Sequence, residues 1–360
     1  MKKYSKILLT AVIIISLFGT LMIYSSSYVW AEYKFNDPYK YLKSQAIFLI
    51  LGYIIIYIVS KINYQIYYKY SNIILFICII LLILVLIPGI GSVRNGSRSW
   101  FGIGSFGIQP SEFAKLGIII FTSKYLNNNK IKSIKSSVLP ILLIVILLFG
   151  LIMLQPDFGT GVILVMTIIT MLFISGVNMS FFIKLGILGL LGIVVLVIIA
   201  PYRLERITSF LKPWADPLGS GFQIIQSLYA IGPGGLLGMG LGNSIQKHFY
   251  LPEPQTDFIF SIISEELGFA GVLIVATLFI TIIKRGLNIS LNQEDNFAKY
   301  LAFGISFSLA FQTILNLMVV VGLIPVTGVT LPFLSYGGSS LLVSMIGIGI
   351  LLNISKYNSK

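Results

Sequence analysis

Four acidic residues of this 360-residue chain, Glu112, Asp257, Glu265 and Glu266, lie on or inside apolar runs of membrane length. A carboxylate at that depth is costly, so it marks either a buried pair or a site that uses it. Asp257 opens such a run directly after a polar, glycine-rich stretch, Pro201 to Thr256. At a helix start, free N–H groups and the macrodipole favour the ionised form. An ionised acid placed there can take up a proton, hold a metal ion or cap the helix; the residues alone leave all three open. Glu112 and Lys115 are three apart and share a helix face, either as a structural ion pair or as part of a polar cavity. Asp257, Ser261, Ser264 and Gly268 recur at helical spacing, and that small, polar stripe is expected to face a water-accessible cavity. Glu265 falls about 80° off the stripe and Glu266 opposite it, which points Glu266 at a neighbouring helix.

The long loop adds cations and backbone. Arg203 and Arg206, three apart, suit an anionic group such as a lipid pyrophosphate, or serve as interface anchors. The run from Ile231 to Ser244 is glycine-dense enough to offer backbone N–H groups to an anion, or to re-enter the membrane. It lacks the Lys-Ser/Thr ending of a phosphate-binding nucleotide loop. Trp214 reads as an interfacial aromatic at a turn.

These residues have to be held by membrane helices. Apolar residues make up 56% of the chain and charged ones 10%, with a mean hydropathy of +0.94, a composition foreign to soluble proteins. Apolar runs near 7–24, 44–60, 71–88, 111–125, 138–154, 160–176, 182–200, 257–283, 300–323 and 339–353 predict an all-α, polytopic membrane protein of about ten helices, with the fourth the weakest. The reading is a single membrane domain over 1–360, with an extracellular loop at 201–256 between the seventh and eighth helices. The first run follows Lys2, Lys3 and Lys6 and is longer than a signal-peptide core, so it is read as a retained helix. Most of the 25 basic residues then fall on inner loops, which puts both termini in the cytoplasm. The net charge of +13 is accounted for by anionic lipid, and nucleic acid is not expected as a partner. Cys78 stands alone in the third run, so no intrachain disulfide forms. His248 is the single histidine, and no zinc cluster exists.

Longer strings carry a resemblance. Pro213-Trp-Ala-Asp-Pro-Leu-Gly-Ser-Gly-Phe-Gln223, Tyr250-Leu-Pro-Glu-Pro-Gln-Thr-Asp-Phe-Ile-Phe-Ser261, Gln109-Pro-Ser-Glu-Phe-Ala-Lys115, Gln155-Pro-Asp-Phe-Gly-Thr160 and Gly328-Val-Thr-Leu-Pro-Phe-Leu-Ser-Tyr-Gly-Gly-Ser-Ser340 resemble the SEDS family, the FtsW, RodA and SpoVE proteins, and the FtsW and SpoVE branch more than RodA. The resemblance implies a peptidoglycan glycosyltransferase at the cytoplasmic membrane that polymerises lipid II, for cell division or spore wall synthesis, with a class B penicillin-binding transpeptidase as partner. Its substrates would be lipid II and the undecaprenyl-pyrophosphate-linked glycan. Asp257 matches the family's essential aspartate, as general base or as ligand of Mg²⁺ or Mn²⁺. Arg203, Arg206, Glu112, Lys115, Asp157, Gln223, Lys247 and Ser261 are the implied substrate contacts. Two other readings fit the same helices: a lipid II flippase with Asp257 as a gate, and a non-catalytic scaffold.

Overall fold

The structure is a computed structural model and describes residues 3–94, 96–103, 106–129, 134–199 and 208–357. Its helices are α1 (Lys3–Phe35), α2 (Lys40–Lys61), α3 (Gln65–Leu84), α4 (Pro110–Asn128), α5 (Leu139–Met153), α6 (Phe158–Ile174), α7 (Met179–Ile199), α8 (Phe222–Ile231), α9 (Ile259–Leu291), α10 (Asn296–Val320) and α11 (Gly338–Ile354). Apart from α8, each covers one of the apolar runs. Seven described helices are long and apolar enough to cross a membrane: α1, α2, α3, α5 with its lead-in turn, α9, α10 and α11. The chain is a polytopic helical membrane protein.

The fourth run does form a helix, but not one of lipid-like composition. Helix α4 buries Ser111, Glu112, Lys115, Thr122 and Ser123 and packs against α3, α5, α6, α10 and α11. Surrounded by protein, it needs no lipid-facing side chains, and polar groups in it can find partners. Helix α7 has the opposite character, with Ile187, Leu188, Leu191 and Ile198 all exposed.

Two features break the all-helical pattern. Between α3 and α4 the chain forms a three-stranded antiparallel sheet, β1 (Ser92–Arg94), β2 (Ser97–Ile103) and β3 (Phe106–Ile108), too short for periodicity to announce. The second is a break inside α9 at Gly268, whose φ of 59° and ψ of −157° are non-helical. A side chain is strained at such a φ, so glycine is required there. The interruption frees carbonyls from the helix ladder, and the glycine-rich loop fills them. Met239 N–H donates to Glu265 O (2.9 Å) and Gly240 N–H to Glu266 O (2.9 Å), while Phe269 and Ala270 N–H donate to Gly235 O and Leu236 O.

Farther back in the same long loop, Asp216 closes a turn by accepting from Ser220 N–H, Ser220 Oγ and Gly219 N–H. The Ser220 backbone bond leads in holding its carboxyl below the usual carboxylate range. That support is present when the acid is ionised and fades only as pH falls through the lowered value.

Candidate active site

The segment between α10 and α11 organises the site. Gln312, two turns inside α10, donates from Nε2 to Thr330 O (3.0 Å). Thr330 therefore lies about 12 Å below the end of that helix at Val320, given a rise of about 1.5 Å per residue. The segment re-enters the bundle and returns to start α11. Leu331, Phe333 and Leu334 anchor it in the core. Gly19 of α1 makes room for it: a Cβ there would stand 2.5 Å from Phe333 O and 2.8 Å from Leu334 Cα.

Asp257 stands over this re-entrant segment. A Cβ on Gly328 would be 3.8 Å from Asp257 Oδ2. Asn316 of α10 ties the two backbones together, donating to Asp257 O (2.8 Å) and to Val329 O (2.7 Å). The expected cap position belongs to Phe258 instead, because α9 begins at Ile259. Asp257 is half-buried, in the turn that precedes the helix.

Below it runs a connected polar network. Lys115 Nζ meets the Glu112 carboxylate at 3.0 Å and donates to Gln312 Oε1 at 2.8 Å. Gln312 Nε2 also reaches Ser340 Oγ (3.3 Å), which meets Thr330 Oγ1 at 3.0 Å. Asp157 caps α6 by accepting from Thr160 N–H (3.2 Å) and accepts from Gln109 Nε2 (2.9 Å) and Ser111 Oγ (3.0 Å). Glu112, Lys115, Gln312, Ser308 and Ser344 share with Leu116, Ile119, Ile305, Leu309 and Val343 the lining of a small crevice between α4, α10 and α11. The pairing of Glu112 with Lys115 is thus visible, while the crevice beside them is walled mainly by apolar side chains.

Close packing ties the network to Asp257. A Cβ on Gly159, two residues after Asp157, would lie 2.8 Å from Thr327 O and press on Val329. Gly159→Leu is expected to displace the re-entrant segment, costing about 1–3 kcal/mol. A fall in the thermal midpoint with unchanged helix content checks this; an unchanged midpoint contradicts it.

Several expected site residues are elsewhere engaged. Ser261 is fully buried and meets Ser227 Oγ of α8 at 2.7 Å; Ser227 in turn donates to Val320 O (2.7 Å). Gly234 presses its backbone on Ser264 O and on Gly268 Cα. The small, polar stripe therefore receives the docked loop and not a cavity, because small residues admit a backbone as readily as water. Lys247 is buried in an ion pair with Glu266 (2.9 Å), donates to Gly242 O and lies 4.9 Å from the Tyr28 ring centroid. Glu266 does meet another helix, accepting from Ser25 Oγ of α1 (2.6 Å). Glu265 accepts from Ser244 Oγ (2.5 Å) and Ile245 N–H (2.8 Å), so the loop amides there serve an anion of the protein itself. Gln223 is half-buried on α8, and His248 is exposed. Arg203 and Arg206 lie outside the described residues.

Comparison with known proteins agrees over nearly the whole length. Residues 5–360 match the family described as "Cell cycle protein", FtsW/RodA/SpoVE. The chain belongs to the FtsW/RodA/SpoVE family. It is 52% identical to Stage V sporulation protein E of Bacillus subtilis (strain 168), over 99% of both chains. It is 42% identical to the probable peptidoglycan glycosyltransferase FtsW of Trichlorobacter lovleyi, covering 98% of this chain and 93% of that one. Among solved structures, one described as "Structural coordination of polymerization and crosslinking by a peptidoglycan synthase complex" is similar with a TM-score of 0.80 and 31% identity, over 97% of this chain and 96% of the other. Thermus thermophilus RodA matches with a TM-score of 0.72 and 26% identity, over 98% and 97% of the two chains.

Within this FtsW/RodA/SpoVE chain, sequence reasoning passed over Gln312, Asn316, Thr330 and Ser340. Gln312 and Asn316 are four apart on one face of an apolar run, a signal of the same kind that drew notice to α9. Thr330 and Ser340 belong to the 328–340 motif, where no periodicity marks which hydroxyl faces the network.

Proposed function

We propose that this chain is a peptidoglycan glycosyltransferase that polymerises lipid II on the outer face of the cytoplasmic membrane, with both termini in the cytoplasm. The observation that carries the reading is the placement of the Asp257 carboxylate: half-exposed, seated over Gly328, at the rim of a membrane-embedded polar network. Names of the relatives supply the activity; the geometry supplies one acid able to act on it.

Asp257 takes the proton from the 4-hydroxyl of the acceptor sugar. The freed oxygen pair attacks the anomeric carbon of the donor as its bond to the lipid pyrophosphate breaks, and the leaving group carries that bond's electrons away. Attack from the opposite face inverts the anomeric centre. Asn316 and Gly328 fix where Asp257 sits, and fixed placement is what keeps the base within reach of the hydroxyl. Glu112, Lys115 and Asp157 hold the wall of the site, and Arg203 and Arg206 take the pyrophosphate. Gln223 faces the substrate from α8. Lys247 and Ser261 act indirectly, by setting the position of the loop through Glu266 and Ser227.

A divalent cation, Mg²⁺ or Mn²⁺, completes the proposal. Among the described residues no three His, Cys, Asp or Glu side chains gather, so an all-protein cage is not the mode. One carboxylate shared with substrate phosphates is a common mode for Mg²⁺. Asp257 fits that mode, and Asn316 Oδ1 and Thr327 Oγ1 are buried oxygens without a hydrogen-bond partner. The ion would neutralise charge on the departing pyrophosphate. The protein partner would be a class B penicillin-binding transpeptidase, in keeping with the synthase complex among the similar structures.

Purified protein in detergent, given lipid II, the cation and a partner, is expected to make glycan strands. A transporter forms no bond and needs two compartments, so movement of lipid II in vesicles without any polymer in detergent would replace this reading.

A further inference from the structure

Arg94 has no place in the network above, yet its surroundings are specific. β1 and β2 pair with Ser92 opposite Trp100 and Val93 opposite Arg98, a shift that leaves Ser99 as an extra residue on β2. Directly opposed residues share a face of a ribbon and successive residues alternate. The bulge therefore puts Arg94 and Trp100 on one face and Arg98 on the other. The contacts agree: the Arg94 guanidinium lies 4.8 Å from the Trp100 ring centroid. Its other side rests on β3, where a Cβ on Gly107 would meet Arg94 Nη2 at 2.6 Å. A side chain at that spot would push the guanidinium out of its present place.

That plane is held without an acceptor. Arg94 Nη2 is buried and has no hydrogen-bond partner; Arg98 Nε on the opposite face shares that lack, but only Arg94 is described against an aromatic ring, and no described salt bridge involves Arg94. A charged donor cut off from water and left unpaired is disfavoured, so such a group calls for a ligand that completes it. Asp157, two residues beyond the Gln155 carbonyl that Ser97 of the sheet reaches, is taken by Gln109, Ser111 and Thr160. The sheet itself is stitched to the site: Ser97 Oγ donates to Gln155 O, Ser339 Oγ donates to Gly107 O (3.1 Å), and Gln109 N–H donates to Ser339 Oγ (2.9 Å). Arg94 itself is half-exposed, which leaves an edge open to a ligand.

Position names the ligand class. The sheet joins the end of α3 at Leu84 to the start of α4 at Pro110, so it sits where helices leave the apolar layer, at the depth of lipid phosphates. A planar guanidinium backed by an aromatic ring suits a phosphate oxyanion, which it can bind through two parallel N–H groups. We propose that Arg94, braced by Trp100 and Gly107, is a subsite for a phosphate group at the membrane surface, carried by a polyprenyl pyrophosphate. The source of that phosphate rests on the polymerase reading; the subsite itself rests on the sheet.

The test is binding, measured apart from turnover. Farnesyl pyrophosphate is titrated into the purified full chain in phospholipid-free detergent, then in nanodiscs of phosphatidylcholine with or without phosphatidylglycerol. Arg94→Ala is expected to weaken farnesyl pyrophosphate binding at least tenfold. Arg94→Lys keeps the charge but not the fork and recovers only part of that loss. Arg98→Ala removes the same charge from the opposite face of the sheet and should change binding by less than threefold. Thermal midpoints of the variants guard against misfolding, and Trp100→Phe offers a second route, reducing affinity without removing a charge. Equal affinity in Arg94→Ala and the parent, or equal losses in Arg94→Ala and Arg98→Ala, overturns the subsite. Competition by phosphatidylglycerol that abolishes pyrophosphate binding overturns the polyprenyl source and leaves a phosphodiester headgroup as the occupant. Binding is read without turnover, so failure of the polymerase reading, seen as absence of glycan from lipid II, stays distinguishable from failure of the subsite.

Discussion

Asp257→Asn is expected to lower glycan polymerisation from lipid II by about 10²–10⁴-fold, the usual contribution of a positioned general base. Asparagine matches aspartate in shape, so the turn before α9 and the bond from Asn316 to the residue 257 carbonyl persist, and the thermal midpoint should hold. Full activity in this variant would end the proposal for the base. Loss alone does not separate a base from a metal ligand, so the residual rate is to be followed against Mn²⁺ concentration. A base leaves the cation dependence of the residual rate as in the parent. A ligand flattens it or moves it to much higher concentration.

Lys247→Ala should give the largest loss of stability. It strands the Glu266 carboxylate, which has no solvent exposure, among α1, α9 and the docked loop. Removing one partner of a buried pair costs about 3–5 kcal/mol, because the remaining charge has neither water nor a counter-ion. The double variant Lys247→Met with Glu266→Gln should recover most of it, since neutral groups of similar size carry no such penalty and glutamine can still accept from Ser25. Thermal unfolding in detergent measures both. A single variant as stable as the parent, or a double variant worse than the single, would show that the pair does not hold the loop.

What could be read from the sequence and what could not divide along physical lines. Helix positions were legible, since apolar runs of membrane length have few alternatives. The Glu112–Lys115 pair was legible because it is local to one helix. Lys247 with Glu266 was not, since one residue sits in an irregular loop and no periodicity links the two. The stripe of Ser261, Ser264 and Gly268 was seen but given the wrong neighbour: small residues mark close approach without saying what approaches. The break at Gly268 was hidden because the apolar pattern of α9 runs straight through it. For Asp257 the helix boundary was off by two residues, an ordinary uncertainty at helix ends, and that shift moved it from cap to rim. The return of the segment 324–336 into the bundle had no pattern to reveal it, being short, mixed in polarity and rich in turns.

The break in α9 also fixes an order of assembly. The amides that complete it, at Met239 and Gly240, belong to chain made before the helix they mend. During synthesis that stretch has to wait, solvated and unanchored, until the later helix is threaded into the bilayer and offers its bare carbonyls. The turn that carries Asp257 thus takes its final shape only after both flanking pieces have met, which makes completion of this end of the molecule a late event in its biogenesis.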